Sequence, residues 1–262
     1  MRHLVNCFEC GMQTVPKRFA EFGPGDSLGV GLCGVLAGSD KYYAFDSIAH
    51  ANNRQNIAVL HKLVAFFRAK IPFNNQPFPS HILTDDLLKR SLADTRIETI
   101  VRMLENGETT SGDLTIQYVA PWENYNGDYP MVDYALSQAV LEHIYDLEYL
   151  YATLAQITIS SGFLSHQIDF RSHGETFEWN GHWSINDRKW EKIKAIQTYS
   201  INREPVSTHI KLFSKHGFTV LRQQNSAAAA PSISREKLTD RFSQMSDEDF
   251  TASGSFIVAR KK

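Results

Sequence analysis

Cysteine is scarce in this sequence of 262 residues, which contains only Cys7, Cys10 and Cys33. Three cysteines near one end cannot form a disulfide framework, so a reducing, cytoplasmic location is expected. Cys7 and Cys10 form a C-x-x-C pair. A zinc site would need a second pair, and a redox motif would open a helix after a strand, whereas Gly11 follows here directly. Two thiols without a metal or redox role are therefore the favoured interpretation.

Long apolar runs and an excess of one charge are also missing. No segment approaches the roughly 20 apolar residues that cross a bilayer, and no basic segment followed by an apolar run indicates a secretory signal. The 27 basic and 29 acidic side chains give a formal net charge of -2, which offers no general attraction for nucleic acid or an anionic membrane. We therefore expect neither an integral membrane segment nor a nucleic-acid partner.

Strand and helix patterns alternate along the chain, and no internal repeat interrupts them. Predicted strands lie at 18–22, 41–46, 114–119, 132–137, 162–168, 218–221 and 255–259. Predicted helices run from a cap at Asp26 or Ser27 to about Ala37, and over 53–69, 92–104, 146–156 and 207–216. This alternation predicts an α/β, Rossmann-like fold with a mainly parallel sheet.

The length suits one large domain, so we expect a single domain over 1–262. Within it, residues 70–110 are interpreted as an insertion, because Pro72, Pro77 and Pro79 interrupt the pattern before helical spacing returns. Residues 169–216 have weak periodicity over their first part and are rich in Trp, His, Asn and Arg. A specificity region is expected there.

A glycine-rich turn follows the first strand, in the stretch Glu-Phe-Gly-Pro-Gly-Asp-Ser at 21–27. Gly23 and Gly25 allow close approach of a ligand, and the first turn of the next helix offers N–H groups to an anion. Taken alone, Gly-Pro-Gly could be a simple turn. The stretch resembles the first motif of class I S-adenosylmethionine-dependent methyltransferases, and the resemblance implies that Glu21, Gly23, Gly25 and Asp26 bind the cofactor.

Asp46 lies 21 residues after Gly25, at the end of the second predicted strand. In a doubly wound sheet its carboxylate can accept hydrogen bonds from two ribose hydroxyls. The same geometry would suit NAD, but the nicotinamide motif requires a third glycine where Leu28 stands. The methyl donor is therefore favoured over a nicotinamide cofactor.

The resemblance extends over residues 18–168. After the fourth predicted strand the chain reads Ser-Gln-Ala-Val-Leu-Glu-His at 137–143, similar to a segment of many class I methyltransferases, and Ser137 is assigned to the cofactor site by this likeness. Ser160-Ser161-Gly162 occupies the position of the turn before the fifth strand in that family. The loop after the third strand often covers the adenine there, which implies a role for Trp122, although a packed aromatic at a loop edge explains Trp122 equally well.

Methyl transfer to a hydroxyl needs a group that accepts the proton, and histidine is the natural base near neutral pH. His166 and Asp169 end the fifth predicted strand on opposite faces, and His173 follows. Acid–base catalysis by His166, Asp169 and His173, a divalent metal held with help from Glu204 or His209, and purely structural hydrogen bonds all remain open. The spacing matches no standard metal motif, so no metal ligand is assigned.

Aromatic planes alternate with amide and guanidinium donors over 179–183 and 199–205. Such mixtures suit a sugar or another polyhydroxylated acceptor, and they place Arg203 near the acceptor; an internally bonded loop is the alternative. The region from 166 to 209 also resembles uncharacterised bacterial methyltransferases of polysaccharide or natural-product clusters. This likeness names no substrate, but it favours oxygen methylation of a small-molecule, sugar-like acceptor over protein, lipid or nucleic-acid targets. The acceptor is expected to bind in the specificity region over 169–216.

The sequence therefore predicts S-adenosylmethionine-dependent methyl transfer to a hydroxyl of a sugar-like or other small polar acceptor. Two alternatives remain. A catalytically inactive cofactor-binding scaffold would keep the same fold, and an NAD(P)-dependent oxidoreductase would use a different cofactor. The sequence does not indicate the oligomeric state.

Overall fold

The computed structural model describes residues 1–73, 76–125, 129–197, 199–229 and 231–262, except for the side chain of residue 124. The chain forms two compact units. The first contains residues 1–138, 156–165 and 261, and the second contains the described residues of 139–155, 166–260 and 262.

The first unit has a mainly parallel sheet flanked by helices. Its strands are β1 (Arg18–Phe22), β2 (Lys41–Phe45), β3 (Thr110–Ser111), β4 (Leu114–Val119), β5 (Val132–Gln138) and the beginning of β6 (Thr158–Asp169). Its helices are α1 (Arg2–Glu9), α2 (Gly29–Leu36), α3 (Asn53–Arg68), α4 (Asp85–Ser91) and α5 (Asp94–Asn106). The strand order is β3-β4-β2-β1-β5-β6. Strands β4, β2, β1 and β5 pair in parallel, and only the short β3 pairs with β4 in antiparallel fashion. This arrangement confirms the predicted Rossmann-like α/β fold.

Helix α2 packs unusually close to the sheet. The ring of Tyr42 on β2 stacks on Phe19 of β1 with 4.9 Å between ring centroids. A Cβ added to Gly31 of α2 would lie 1.8 Å from a ring carbon of Tyr42, and one added to Gly34 would lie 2.5 Å from Phe19. The two helical glycines therefore permit the contact that holds α2 against β1 and β2.

The second unit contains the rest of β6 and a mixed set of helices and strands. These are most of α6 (Leu147–Ile157), α7 (Asp187–Ile196), α8 (Val206–Lys215), β7 (Phe218–Ala227), α9 (Asp247–Thr251) and β8 (Ala252–Lys261), with strand order β6-β8-β7. Phe213 packs edge to face on Tyr151 and on Phe218 at centroid distances of 4.8 and 6.2 Å. Ile185, Trp190 and Ile201 form a smaller buried group.

Two local predictions are wrong. Helix α2 begins at Gly29 with Leu28 in the N-cap position, and neither Asp26 nor Ser27 caps it; the Leu28 N–H instead donates to the side-chain oxygen of Asn56 at 2.9 Å. The predicted turn at 160–162 lies within β6, which begins at Thr158 directly after α6. Ser160 and Ser161 are exposed there, so solvent accounts for their polarity without a turn.

The structure also contains helices that the sequence patterns did not predict, namely α1, α4, α7 and α9. Strands β6, β7 and β8 are longer than predicted. No helix among the described residues is both long and apolar enough to cross a membrane. The single-domain interpretation, the insertion over 70–110, in which residues 74–75 lie outside the described chain, and the specificity region over 169–216 stay predictions.

Candidate functional site

The glycine turn follows β1 in the first unit and has left-handed backbone at two positions. Gly23 has a φ of 70° and Gly25 a φ of 67°, values that favour glycine because a Cβ would clash with its own backbone. The N–H of Gly23 donates to the carbonyl of Phe45 at 2.7 Å, which ties the turn to the end of β2. A Cβ built on Gly25 would find no described heavy atom within 4 Å. The turn therefore presents bare backbone to open space.

Asp46 closes this turn from the neighbouring strand end. Its Oδ2 accepts the N–H of Gly25 at 3.1 Å, and its Oδ1 accepts the N–H of Ser47 at 2.8 Å. The residue is 9% exposed. Each carboxylate oxygen has a second lone pair, so Asp46 can accept two further hydrogen bonds, as the two hydroxyls of a ribose would require. The sequence prediction that brought Asp46 to the glycine turn is matched by this geometry.

Glu21 lies on β1 immediately before the turn and is buried, with 2% exposure. The Tyr42 hydroxyl donates to its Oε2 at 2.5 Å. Burial raises the pKa of Glu21 to about 7 despite this hydrogen bond, and the negative charge of Asp46 acts in the same direction. Glu21 thus lies buried on β1 just before the turn and hydrogen-bonds to Tyr42 of β2. Its predicted role as a cofactor-binding residue stays a prediction.

The other predicted cofactor residues differ in exposure. Asp26 is exposed in the turn before α2. Ser137, near the end of β5, is fully buried beside Phe22 of β1 in the parallel register. Trp122 is 4% exposed, and its ring meets that of Phe22 edge to face at 5.4 Å. The contact favours the interpretation of Trp122 as a packed aromatic side chain.

The hydrogen-bonding groups around the glycine turn fit S-adenosylmethionine. The backbone of Gly25 borders open space, and Asp46 offers acceptors beside it. The N-terminal turn of α2 offers N–H groups suited to a carboxylate. The residues present would therefore accommodate a ligand with a ribose and an anionic tail.

A group of polar side chains in the second unit, here called the polar cluster, consists of Glu142, His143, Asp169, Arg171 and His173. Asp169 ends β6, and its carboxylate accepts the Arg171 Nε–H at 2.9 Å and lies 3.5 Å from His173 Nε2. Burial opposes ionisation of Asp169, but the hydrogen bonds from Arg171 and His173 outweigh it and lower its pKa. The same bond to Asp169 raises the pKa of His173. The predicted pairing of Asp169 with His173 is thus present.

Glu142 and His143 form a 3-10 turn with Leu141 and bring a second carboxyl into the polar cluster. Glu142 is 2% exposed, and burial raises its pKa to about 8. No side chain of the described residues donates a hydrogen bond to either of its carboxylate oxygens. The His143 ring lies 5.0 Å from that of His173, centroid to centroid, and its Nδ1 is 3.3 Å from the carbonyl oxygen of Ser200.

The remaining acceptor candidates differ in their surroundings: Arg203 lines the same small cavity as Glu142 and Asp169, whereas His166 packs on Phe213. His166 is fully buried, its ring faces Phe213 at 5.9 Å, and strand alternation directs it to the opposite face of β6 from Asp169. Arg203 is 3% exposed. Its Nη1 donates to the carbonyls of His182 and Ile185 at 3.3 and 2.7 Å, so this guanidinium is occupied by its own loop.

The sequence analysis used the segment at 137–143 to assign Ser137 and gave no role to Glu142. The buried carboxyl of Glu142 was missed, as were Tyr42 as the partner of Glu21 and Asn202, whose side-chain amide donates to the carbonyls of Leu141 and Ile144 at 2.7 and 2.8 Å. Glu142 carried no local signal of burial, because a glutamate in a short turn is usually exposed. Asn202 gave none either, because the carbonyls that it contacts lie about 60 residues away in sequence.

Comparison with known proteins yields no match to a protein-family profile and none to a curated protein sequence. Solved structures do match. An S-adenosylmethionine dependent methyltransferase from Mesorhizobium loti is 12% identical, with a TM-score of 0.49 and coverage of 98% of this chain and 96% of that one. Phosphoethanolamine N-methyltransferase 2 of Haemonchus contortus, crystallised with S-adenosyl-L-methionine, is 12% identical with a TM-score of 0.49; 99% of this chain matches 52% of that one, about half its length.

A protein of Galdieria sulphuraria, provisionally named a sarcosine dimethylglycine methyltransferase, superposes with a TM-score of 0.52. It is 11% identical to this chain, and the match covers 100% of this chain and 84% of that one. At such low identity the likeness concerns architecture, and it agrees with the parallel strand order found in the first unit. This chain therefore has the Rossmann-like α/β fold of class I methyltransferases.

Proposed function

We propose that this protein transfers a methyl group from S-adenosylmethionine to a hydroxyl of a small polar acceptor. The observation that carries the proposal is the glycine turn closed by Asp46, since a bare left-handed backbone beside a carboxylate at adjacent strand ends suits a ribose-containing cofactor. The absence of a third glycine at Leu28 favours the methyl donor over a nicotinamide cofactor.

The backbone of Gly23 and Gly25 would hold the cofactor by close approach, and Asp46 would accept hydrogen bonds from its ribose hydroxyls. Asp26 would add negative charge at the entrance, where it is exposed. Glu21, Trp122 and Ser137 would support this cofactor site from the buried side. When bound, S-adenosylmethionine supplies an electrophilic methyl group on a sulfonium.

For the acceptor we propose the second unit, in the specificity region over 169–216. The chain's part in the reaction would be to orient a hydroxyl and to remove its proton, because a hydroxyl with a pKa far above 7 is a weak nucleophile. His173 is the residue proposed to take that proton, since Asp169 fixes its ring. In this proposal His166 and Arg203, both buried, shape the surrounding structure.

We further propose that the acceptor is sugar-like. Trp179 and Trp183 lie with ring centroids 5.8 Å apart, and aromatic faces near polar groups suit carbohydrate rings. Trp183 itself is fully buried, so Trp179 is the ring assigned to acceptor contact.

Single-turnover methyl transfer tests the acceptor side. The purified protein would be mixed with labelled S-adenosylmethionine and a panel of sugars and polyols, with small amines for comparison. For a hydroxyl acceptor, His173→Ala and Asp169→Asn should slow the chemical step by about 100-fold or more. His166→Ala tests the third predicted residue, and His61→Ala, an exposed histidine on α3, serves as the control.

Labelling of amines alone would overturn the hydroxyl assignment while leaving the cofactor assignment intact. Full activity in both His173→Ala and Asp169→Asn would remove these residues from the proton transfer. If no acceptor in the panel were labelled although S-adenosylmethionine bound, the sugar-like class would be wrong.

A further inference from the structure

We infer that Glu142, His143 and His173 form a binding site for a divalent transition-metal ion. One potential ligand atom from each side chain lies within 4.8 Å of the others, and this is a carboxylate with two imidazoles. Ligands at about 2.0–2.2 Å from one ion lie about 3.5 Å apart in a tetrahedral site. Small side-chain rotations would bring the three atoms into that range.

The buried carboxyl of Glu142 favours a bound cation. The residue is 2% exposed, and neither oxygen receives a hydrogen bond from a side chain of the described chain. A buried carboxylate is costly unless it is paired with charge or binds a metal. A cation between Glu142 and the two histidines would provide that charge.

One ring nitrogen of each histidine faces an acceptor that can fix the orientation of the ring. His173 Nε2 faces Asp169 Oδ2 at 3.5 Å, and His143 Nδ1 faces the Ser200 carbonyl at 3.3 Å. Metal-binding histidines usually donate their second N–H to a carboxylate or a backbone carbonyl, which fixes the tautomer and leaves the remaining nitrogen for the ion. Asp169 and the Ser200 carbonyl are partners of this kind. A group of polar side chains without a metal-binding role would not need them.

The donor set also selects the class of ion. Two imidazoles with one carboxylate suit Zn²⁺, Co²⁺, Fe²⁺ or Mn²⁺ and leave coordination positions open for water or another ligand. Mg²⁺ prefers oxygen ligands. The site is therefore assigned to borderline transition metals, with Mg²⁺ as the expected weak binder.

Metal binding at this site does not depend on the proposed methyl transfer, but it would change the part played by His173. When His173 is a ligand it cannot also be the free base. In the metal-bound protein an open coordination position could instead bind the acceptor hydroxyl and lower its pKa. The metal-free protein would then activate a hydroxyl through His173, and the metal-bound protein through the ion.

Calorimetric titration of the metal-free protein with Zn²⁺ and Mg²⁺ would test the site, together with the visible absorption spectrum of the protein with Co²⁺. We expect one equivalent of Zn²⁺ to bind at least 100-fold more tightly than Mg²⁺, and Co²⁺ to give the d–d bands of a low-symmetry site. Glu142→Gln and His173→Ala should each weaken Zn²⁺ binding at least 10-fold. Asp169→Asn, which disturbs only the orienting partner, should weaken it about 10- to 100-fold.

His61→Ala is the matched control, because it removes an exposed histidine far along the sequence and should leave affinity unchanged. Circular dichroism would identify any variant that fails to fold, and His143→Ala would then replace it. Equal Zn²⁺ affinity in the wild type, Glu142→Gln and His173→Ala would overturn the proposal. So would the lack of a one-equivalent Zn²⁺ transition at millimolar concentration. Because none of these readouts uses S-adenosylmethionine, they are independent of the proposed function.

Discussion

At the scale of single residues, the first unit buries an acidic side chain directly beneath the glycine turn. Glu21 has a pKa of about 7 in the folded protein against an ordinary value of 4.5, because burial disfavours its charged form. The unfolded chain therefore releases this proton at a lower pH than the folded chain does. Below pH 4.5 the carboxyl is protonated in both states, and above pH 7 it is ionised in both.

Between these values only the unfolded state has lost the proton, so the contribution of Glu21 to stability falls as pH rises from 4.5 to 7. The shift corresponds to a loss of about 3 kcal/mol. Urea unfolding of the wild type and Glu21→Gln at several pH values would measure it, because all other groups titrate alike in the two proteins. A difference between the two proteins that stays constant across this pH window would contradict the prediction.

Arg203 gives a second prediction at the residue scale. Arg203→Met would remove the side-chain donor to the buried carbonyls of His182 and Ile185, together with the ion pair to Asp187. Each lost hydrogen bond to a buried carbonyl costs about 1–3 kcal/mol, so we expect a total loss of about 2–6 kcal/mol in the free energy of unfolding. Arg241→Met is the control, because Arg241 is 40% exposed and bonds to Asp187 and Glu204 near the surface. It should cost less than about 1 kcal/mol.

A similar loss of stability in both arginine variants would show that the buried carbonyls are not the cause. Binding of S-adenosylmethionine, which is assigned to the first unit, should be unchanged in Arg203→Met as long as the protein remains folded. The sequence placed Arg203 near the acceptor because a guanidinium can bind hydroxyls. It could not show that backbone carbonyls 18 and 21 residues away occupy the same donors.

At the level of secondary-structure elements, Gly25 of the turn and Gly31 of helix α2 differ in what surrounds them. Gly31 faces the ring of Tyr42, where an added methyl group would be 1.8 Å from a ring carbon. We expect Gly31→Ala to destabilise the protein by about 3 kcal/mol, the upper part of the usual range for overpacking. Gly25→Val should cost about 1–2 kcal/mol for its left-handed backbone but should abolish cofactor binding.

Thermal unfolding and ligand titration of the two variants would separate these effects. Loss of binding in Gly25→Val with most of the fold retained would match the account. Unchanged cofactor affinity in that variant would mean that the turn is only a connection between β1 and α2.

Local signals made several elements predictable. Strand β1 and the beginning of α3 agree with the prediction because compact apolar runs and 3.6-residue spacing are strong there. Helix α7 was missed because its charged and aromatic residues hide the pattern, although Asn186 caps it by accepting the N–H of Lys189 at 2.9 Å. The start of β6 was mistaken for a turn because Ser160-Ser161-Gly162 was assigned by its likeness to the turn before the fifth strand in class I methyltransferases.

The candidate sites were predictable to different degrees for a physical reason. The glycine turn and Asp46 follow neighbouring strands, and the order of these strands follows from the alternation of strands and helices. The position of Asp46 after the second predicted strand was therefore enough to place it beside the turn. The polar cluster depends on side chains brought together by loops. The pair Asp169 and His173 lies within one segment and was predicted, whereas Glu142 joins it from a separate turn and was not.

For the molecule as a whole, we expect the folded protein to bind S-adenosylmethionine through Asp46 and the glycine turn. A ligand that binds only the folded state also raises its stability, so the midpoint of thermal unfolding should rise with S-adenosylhomocysteine concentration. Asp46→Ala should lose most of this rise. Asp113→Ala, which removes an exposed carboxylate between β3 and β4, should retain it.

Calorimetric titration of S-adenosylhomocysteine into the wild type, Asp46→Ala and Asp113→Ala, with NADH as a second ligand, would show whether Asp46 and the glycine turn bind the methyl donor. The account predicts micromolar binding by the wild type and Asp113→Ala, a loss of about 1–3 kcal/mol in Asp46→Ala, and no tight binding of NADH. Tight binding of NADH without any response to S-adenosylhomocysteine would contradict it.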